Sequence, residues 1–153
     1  MAVLSALVVL YAVASMQPVS PSEANTLASS VPINTDARSI WMHNLFIALL
    51  ELTPLAGVFI GGFSSWTTGL TTASIAARTN MPSIALVTDL IFTPFFWLEF
   101  SGYAIAITAS IWLLKSFADK TWRAELPRFV VAAGLMFVVL GTSALVEMVY
   151  ILH

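Results

Sequence analysis

Residues 39–62 read SIWMHNLFIALLELTPLAGVFIGG, a predominantly apolar segment. It is long enough to cross a bilayer, because a spanning helix needs about 20 apolar residues that each rise about 1.5 Å. Pro54 lacks a backbone N–H and therefore predicts a kink around Glu51. Gly57 and Gly61 form a GxxxG face, which predicts close packing against another helix.

The rest of the chain has the same apolar character. Of its 153 residues, 59% are hydrophobic and 9% are charged, whereas an ordinary soluble domain is roughly 25% charged. Six Lys and Arg with eight Asp and Glu cannot cover the surface of a soluble protein, and the mean hydropathy of +0.92 agrees. Soluble enzyme folds are therefore excluded. The net charge of −2 excludes a basic nucleic-acid-binding protein, and the absence of cysteine excludes disulfides and thiolate metal sites.

The hydropathy pattern predicts an all-α, polytopic integral membrane helical bundle of about five spans, with residues 1–153 as a single transmembrane domain. The predicted spans are residues 1–16 (retained as an anchor), 39–62, 63–93 (broken or re-entrant), 94–114 and 129–152. The segment 63–93 is predicted to be broken because residues 78–82 interrupt it. Half-helices of this kind are tolerated only when they are buried in protein or line a cavity.

Two aqueous segments connect these spans. Residues 17–38 form the predicted outer loop, in which Ser20, Pro21 and Glu23 have the spacing of a helix N-cap, N1 and N3. Residues 115–128 hold four of the six basic residues, so the positive-inside rule places this loop in the cytoplasm. The prediction is therefore a multi-pass protein of the cell membrane with a cytoplasmic N-terminus and an external C-terminus. The loop 115–128 is either a docking surface or a solvated interfacial turn.

Six polar residues in or beside the spans are the candidate functional residues: His43, Asn44, Glu51, Asp89, Glu99 and Glu147. A central acidic residue costs about 3 kcal/mol by insertion scales, so each carboxyl group needs a partner, a proton or an interfacial position. One interpretation is a proton or cation relay. The other, which we favour at this stage, is that the carboxylates form interhelical hydrogen bonds, worth about 0.6 kcal/mol each on average.

Catalytic and metal-binding patterns are lacking. The sequence contains no P-loop, GxSxG, HExxH or dinucleotide-binding motif. His43 and Glu51 are eight residues apart, which is two helical turns and too far for one ion to be chelated from that helix alone. We therefore expect no catalytic residues, no metal site and no cofactor.

The order of features resembles the stage II sporulation protein M family of integral membrane proteins over nearly the whole chain. The resemblance rests on Trp41-Met42-His43-Asn44-Leu45, Gly57-Val58-Phe59-Ile60-Gly61-Gly62, Thr68-Gly69, Pro94-Phe95-Phe96-Trp97-Leu98-Glu99-Phe100 and Ala144-Leu145-Val146-Glu147. The resemblance is to a divergent member, because the family usually has Asn-Gly where this chain has Thr68-Gly69, and Pro-His-Gly where it has Pro94-Phe95-Phe96. The resemblance implies an all-helical membrane fold. In spore formers the family member works in a membrane complex with peptidoglycan-remodelling partners.

Three functions remain open on the sequence. The favoured one is a non-catalytic membrane subunit or scaffold that binds the lipid bilayer and other membrane subunits, in a hetero-complex or as a homo-oligomer. The alternative is an oligomeric transporter or ion-conducting component that uses the intramembrane carboxylates. An intramembrane enzyme is the least favoured, because no nucleophile and base stand together.

Overall fold

The computed structural model describes residues 1–30 and 36–151, and within these ranges the protein consists of seven α-helices with no strand. The helices are α1 (Ala2–Ser15), α2 (Pro21–Ser30), α3 (Ala37–Glu51), α4 (Ala56–Thr79), α5 (Ser83–Ile91), α6 (Pro94–Ala118) and α7 (Trp122–Ile151). The predicted all-α class is therefore confirmed for the described residues. Residues 31–35 of the predicted outer loop and residue 152 of the last predicted span lie outside them.

Two helices of the described part of the chain, α6 and α7, are long and apolar enough to cross a membrane. They contain 25 and 30 residues, or about 37 and 45 Å at 1.5 Å per residue. Helix α1 is apolar but has only 14 residues. Length and composition thus indicate an association with membranes through the α6–α7 pair.

Helices α6 and α7 pack antiparallel and form the most extensive helix–helix contact of the bundle. The Ser143 hydroxyl donates a hydrogen bond of 3.0 Å to the backbone carbonyl of Phe95, near the start of α6. About two turns further along α6, the Leu140 side chain of α7 fills the space beside Gly102. These contacts join the end of α7 to the beginning of α6.

Helix α1 also runs antiparallel to α6. Near its end, the ring of Tyr11 packs against Phe96 and Phe100 with centroid separations of 5.2 and 5.6 Å. At its start, Met1 lines the same groove as Trp112, near the far end of α6. The N-terminus therefore lies at the same end of the bundle as the α6–α7 turn.

Helix α4 packs along α1 through a row of small residues. Buried small side chains occur at every fourth position, at Gly57, Gly61, Ser65, Gly69 and Ala73. The Ser65 hydroxyl donates a 2.6 Å hydrogen bond to the Leu7 carbonyl, and Gly69 lies directly against the backbone of Tyr11. Because small residues let two backbones approach closely, this row brings α4 and α1 into contact in a parallel direction.

The predicted span 39–62 is wrong as a single helix, because the chain reverses direction at residues 52–55, here called the reversal segment. Helix α3 ends at Glu51 and α4 begins at Ala56. Pro54 cannot donate a helical hydrogen bond, and Leu55 adopts a positive φ of 69°, which a continuing helix does not allow. A kink was expected at this point, whereas the structure shows a complete reversal that places the start of α4 beside Glu51.

The predicted break within 63–93 is present, but the helix that precedes it begins earlier than expected. Helix α4 is continuous through Gly62, ends at Thr79 and is followed by α5 from Ser83. Asn80 closes α4 in the left-handed conformation. The hydroxyl groups of α4 do not disrupt the helix because several, including that of Thr72, donate to the carbonyl four residues earlier.

The connection between α6 and α7 is more helical than the sequence indicated. The loop predicted at 115–128 is reduced to residues 119–121, because α6 extends to Ala118 and α7 starts at Trp122. Pro127 lies near the start of α7 and removes one backbone donor without ending the helix. The predicted cap of α2 is confirmed, since the Ser20 N–H donates to Glu23 at 3.0 Å and the Glu23 N–H donates to the Ser20 hydroxyl at 3.3 Å.

Candidate functional site: a buried carboxyl group at a helix reversal

Glu51 is the most unusual side chain of the bundle. It is the last residue of α3, and its exposed fraction is 0%. Neither carboxyl oxygen has a hydrogen-bond partner among the described residues. Buried polar groups are almost always hydrogen-bonded, and leaving one unsatisfied costs about 1–3 kcal/mol. Glu51 therefore does not form the interhelical hydrogen bond that the sequence-based interpretation favoured.

Two glycines of α4 make room for this carboxyl group. A Cβ atom at Gly61 would lie 3.2 Å from Glu51 Oε1, and one at Gly57 would overlap the Glu51 backbone carbonyl. Both positions also face α6, where the Ile107 side chain contacts Gly61. The GxxxG face thus lies against Glu51 and α6 at the junction of three helices.

The reversal segment is held in place by α6. The Ser110 hydroxyl donates a 2.9 Å hydrogen bond to the Thr53 carbonyl, and the same carbonyl accepts a 2.8 Å hydrogen bond from the Gly57 N–H. These bonds hold the end of α3 and the start of α4 against α6 at Ser110. The position of the Glu51 carboxyl group is set by this junction.

Three further ionisable side chains continue from Glu51 along α6 and α7. The Tyr103 hydroxyl donates a 2.9 Å hydrogen bond to Glu99 Oε1, one turn earlier on α6. Tyr103 is 7% exposed and lies within electrostatic range of Glu51, Glu99 and Glu147. Glu99 itself is within electrostatic range of the other two glutamates. We call Glu51, Tyr103, Glu99 and Glu147 the acidic row.

The structure brings together three of the six candidate residues and separates the others. Glu51, Glu99 and Glu147 belong to the acidic row, with Glu99 and Glu147 half-buried. Asn44 is buried on α3, two turns before Glu51. His43 is exposed on α3, and Asp89 is exposed on the short helix α5.

Sequence reasoning missed the role of Ser110 but not that of Tyr103. Tyr103 is a candidate neighbour of the carboxyl groups on the sequence, since it follows Glu99 by four positions, a spacing that places two side chains on one face of a helix. Ser110 lies in the same apolar segment, in which the small residues Gly102 and Ala106 indicate close helix packing. The bond from Ser110 to Thr53 depends on the helix reversal.

Two exposed carboxylates outside the bundle, Glu23 and Asp36, accept hydrogen bonds from neighbouring serines. Hydrogen bonds from the hydroxyl and N–H groups of Ser20 lower the pKa of Glu23. The N–H and hydroxyl groups of Ser39 donate to Asp36, the N-cap of α3, and lower its pKa in the same way. These exposed groups are anions at neutral pH. Glu51, in contrast, is buried, and its carboxyl oxygens accept no hydrogen bond from the described residues.

The donor set does not resemble a metal centre. Among the residues the structure describes, no three His, Asp or Glu side chains are arranged to hold a metal ion. A separate groove of about 640 Å³ between α1, α6 and α7 is lined mainly by apolar side chains such as Leu4, Ile105 and Leu135, with Arg128 among its residues.

Comparisons of the chain with family models, with curated proteins and with solved structures find no match. Its interpretation therefore rests on its own geometry.

Proposed function

We propose that the protein is a non-catalytic integral membrane subunit that works within a larger membrane complex. The observation that carries this proposal is the outer surface of α7, which is apolar along its length. Val131, Val138 and Leu145 are 71%, 62% and 65% exposed. Exposed apolar surface of this extent marks a membrane or protein-interaction surface rather than a face in contact with water.

A five-pass arrangement is supported by the directions of the helices. Successive contacts make α1, α3, α4, α6 and α7 alternate in direction, with α5 as a short helix between α4 and α6. The reversal segment lies level with Ser110, near the end of α6 that carries Trp112 and Lys115. In this arrangement α3 and α4 are separate passes joined by the reversal segment.

The orientation follows from charge. Lys115, Lys120, Arg123 and Arg128 surround the α6–α7 turn, and clusters of basic residues remain on the cytoplasmic side. Because Met1 lies at the same end of the bundle, the N-terminus is assigned to the cytoplasm and the C-terminus to the outside. The aqueous parts are then too small to hold an active site of their own.

The resemblance to the stage II sporulation protein M family supports the same proposal. The glutamates that occupy the family's positions, Glu99 and Glu147, come from distant parts of the chain and lie within electrostatic range of each other. A shared arrangement of this kind is consistent with a common membrane architecture. It leaves the partner unnamed, and the partner is what the experiment must find.

Extraction of the tagged full-length protein in a mild detergent, followed by mass spectrometry, tests the proposal. We expect at least one membrane protein to copurify in a fixed molar ratio. A matched sample with Val131, Val138 and Leu145 replaced by alanine retains the buried core and should lose the partner if the α7 surface binds it. A stable, monodisperse protein without partners would contradict the proposal.

A second candidate function, a transporter or ion-conducting component, is favoured by one observation. The unsatisfied Glu51 carboxyl group lies inside the bundle within electrostatic range of Glu99, which is within range of Glu147, and ionisable groups inside a membrane often mark ion pathways. Purified protein in liposomes should then carry a cation or proton flux that Glu51→Gln or Glu99→Gln reduces. The absence of flux, or flux unchanged in both variants, would eliminate this candidate.

A further inference from the structure

We propose that Glu51 is a proton-binding site, held as a neutral carboxylic acid that exchanges its proton with the outer end of the bundle along the acidic row. This inference deepens the second candidate function by naming the ion and the residues that carry it. It also rests on the membrane placement of the α6–α7 pair. The site itself does not require that the protein be a transporter.

The surroundings of Glu51 exclude a stable anion. Ionised carboxylates buried in apolar surroundings are paired with a cation or become neutral, because the cost of burying an unpaired charge is far larger than that of burying a neutral group. The charged group within electrostatic range of Glu51, among the described residues, is Glu99, which has the same sign. Arg38 on the same helix is 13 residues away, about 20 Å along the axis.

The side chains that the neighbouring helices place near Glu51 support this assignment. Helix α4 faces Glu51 with Gly57 and Gly61, which cannot titrate. Helix α6 contributes Tyr103 and Glu99, and α7 contributes Glu147, which lies within electrostatic range of Glu99 and Tyr103. Among the described residues, the ionisable groups near Glu51 are therefore acids.

The geometry also provides a route. The Tyr103 hydroxyl already donates to Glu99 at 2.9 Å, so it can pass that proton to Glu99 and take one from Glu51 through an intervening water molecule. Because Tyr103 gives up one proton and takes another, it stays neutral, Glu99 becomes the carboxylic acid and Glu51 the carboxylate; rotation of the new hydroxyl group then restores the hydrogen bond to Glu99. Glu147, which is half-buried at the outer end of α7, completes the route to the surface.

A neutral carboxylic acid in apolar surroundings has a distinctive reactivity. Its proton moves to one nitrogen of a lipid-soluble carbodiimide while its oxygen bonds to the central carbon, and an acyl shift to nitrogen then gives a stable N-acylurea. The reaction is an addition, so it needs no oxidant and has no leaving group. Ionised, water-exposed carboxylates such as Glu23 react poorly under the same conditions because they lack the acidic proton.

The test treats the full-length protein in detergent micelles with dicyclohexylcarbodiimide and locates the adduct by peptide mass spectrometry. We expect one adduct on Glu51, formed more slowly as the pH rises and unaffected by sodium ions. Glu51→Gln should lose this adduct, and the control Glu23→Gln should keep it. Because mapping of the wild-type protein locates the adduct directly, the result does not depend on how well either variant folds.

Two results would overturn the proposal. Labelling that spares Glu51 while it modifies exposed carboxylates would show that Glu51 is not a buried acid. Protection of Glu51 by sodium ions would show a cation site instead of a proton site. Labelling of Glu51 without any liposome flux would remove the second candidate function and leave the proton site intact, so the two failures are distinguishable.

The route through Tyr103 has its own test. Infrared spectra in D₂O report the exchange of the Glu51 carboxyl proton as a shift of its carbonyl band, identified by its absence in Glu51→Gln. Tyr103→Phe should slow this exchange at least tenfold, whereas the control Tyr150→Phe on the exposed end of α7 should not change it. Equal exchange rates in the two tyrosine variants would refute the route.

Discussion

The contact between α1 and α4 predicts a large difference between two chemically identical substitutions. Gly69 lies against the backbone of α1, and a Cβ atom there would overlap the Tyr11 carbonyl and lie 2.6 Å from the Ala14 Cβ. Gly134, in the middle of α7, has no atom within 4 Å of its Cβ position. We therefore compare Gly69→Ala with Gly134→Ala.

The magnitude follows from two terms. Both substitutions replace a helical glycine with alanine, which favours the helix by about 0.8–1.0 kcal/mol. This term is common to both variants and cancels in their difference. Only Gly69→Ala forces two backbones apart, and overpacking of this kind costs about 1–3 kcal/mol. Gly69→Ala should consequently be less stable than Gly134→Ala by about 1–3 kcal/mol.

The assay is unfolding of the purified protein by titration with sodium dodecyl sulfate, followed by the fluorescence of its five tryptophans. Gly134→Ala should equal or exceed the wild-type stability, and Gly69→Ala should fall below it. Equal stability of the two variants, or a more stable Gly69→Ala, would refute the close packing of α1 against α4. A loss of stability in Gly134→Ala would refute the exposed position of that glycine.

Three further predictions concern the reversal segment and its surroundings, each measured in the same unfolding assay. Glu51→Leu removes the unsatisfied carboxyl group and should raise the free energy of unfolding by about 1–3 kcal/mol; a loss of stability would show that Glu51 has a hydrogen-bond partner. Ser110→Ala removes the bond to Thr53 and should cost about 0.5–1.5 kcal/mol, and an unchanged value would show that this bond does not hold the reversal. Leu55→Gly relieves the positive φ and should stabilise the protein by about 1 kcal/mol, whereas Leu49→Gly, an exposed position within α3, should destabilise it by about 1 kcal/mol. Equal effects of the two glycine substitutions would contradict the helix reversal.

Local sequence signals predicted the parts of the fold that local interactions determine. Ser20 and Glu23 form the capping box that their spacing indicated, and the polar interruption before Ser83 ends α4. The apolar character of α6 and α7 was evident from composition, although both helices extend beyond the predicted bounds. These features depend on a few neighbouring residues and need no knowledge of the tertiary structure.

The remainder depends on contacts between distant segments. Pro54 indicates a helix defect, but a kink and a reversal have the same local signal, and the bond from Ser110 selects the reversal. Gly61 and Gly62 resemble a helix end, because glycine favours both helix ends and close packing. In the structure Gly61 packs against Ile107 and the helix continues.

The candidate site was predictable as a set of residue types but not as an arrangement. The sequence shows four acidic residues in or near apolar segments, and nothing local distinguishes Asp89 from Glu99. Folding places Asp89 on an exposed short helix and Glu99 beside Tyr103. The absence of a partner for Glu51 follows from the three-helix junction, which only the tertiary structure defines.

In the proposed topology the chain passes the membrane five times and reverses at residues 52–55. The natural absence of cysteine allows a direct measurement with single-cysteine variants at Ser22, Leu55, Met81 and Asp119. In intact cells a membrane-impermeant maleimide should label the cysteines at 22 and 81, and should reach those at 55 and 119 only after permeabilisation. Labelling of positions 55 and 81 from the same side would contradict the account, because α4 would then not cross the membrane.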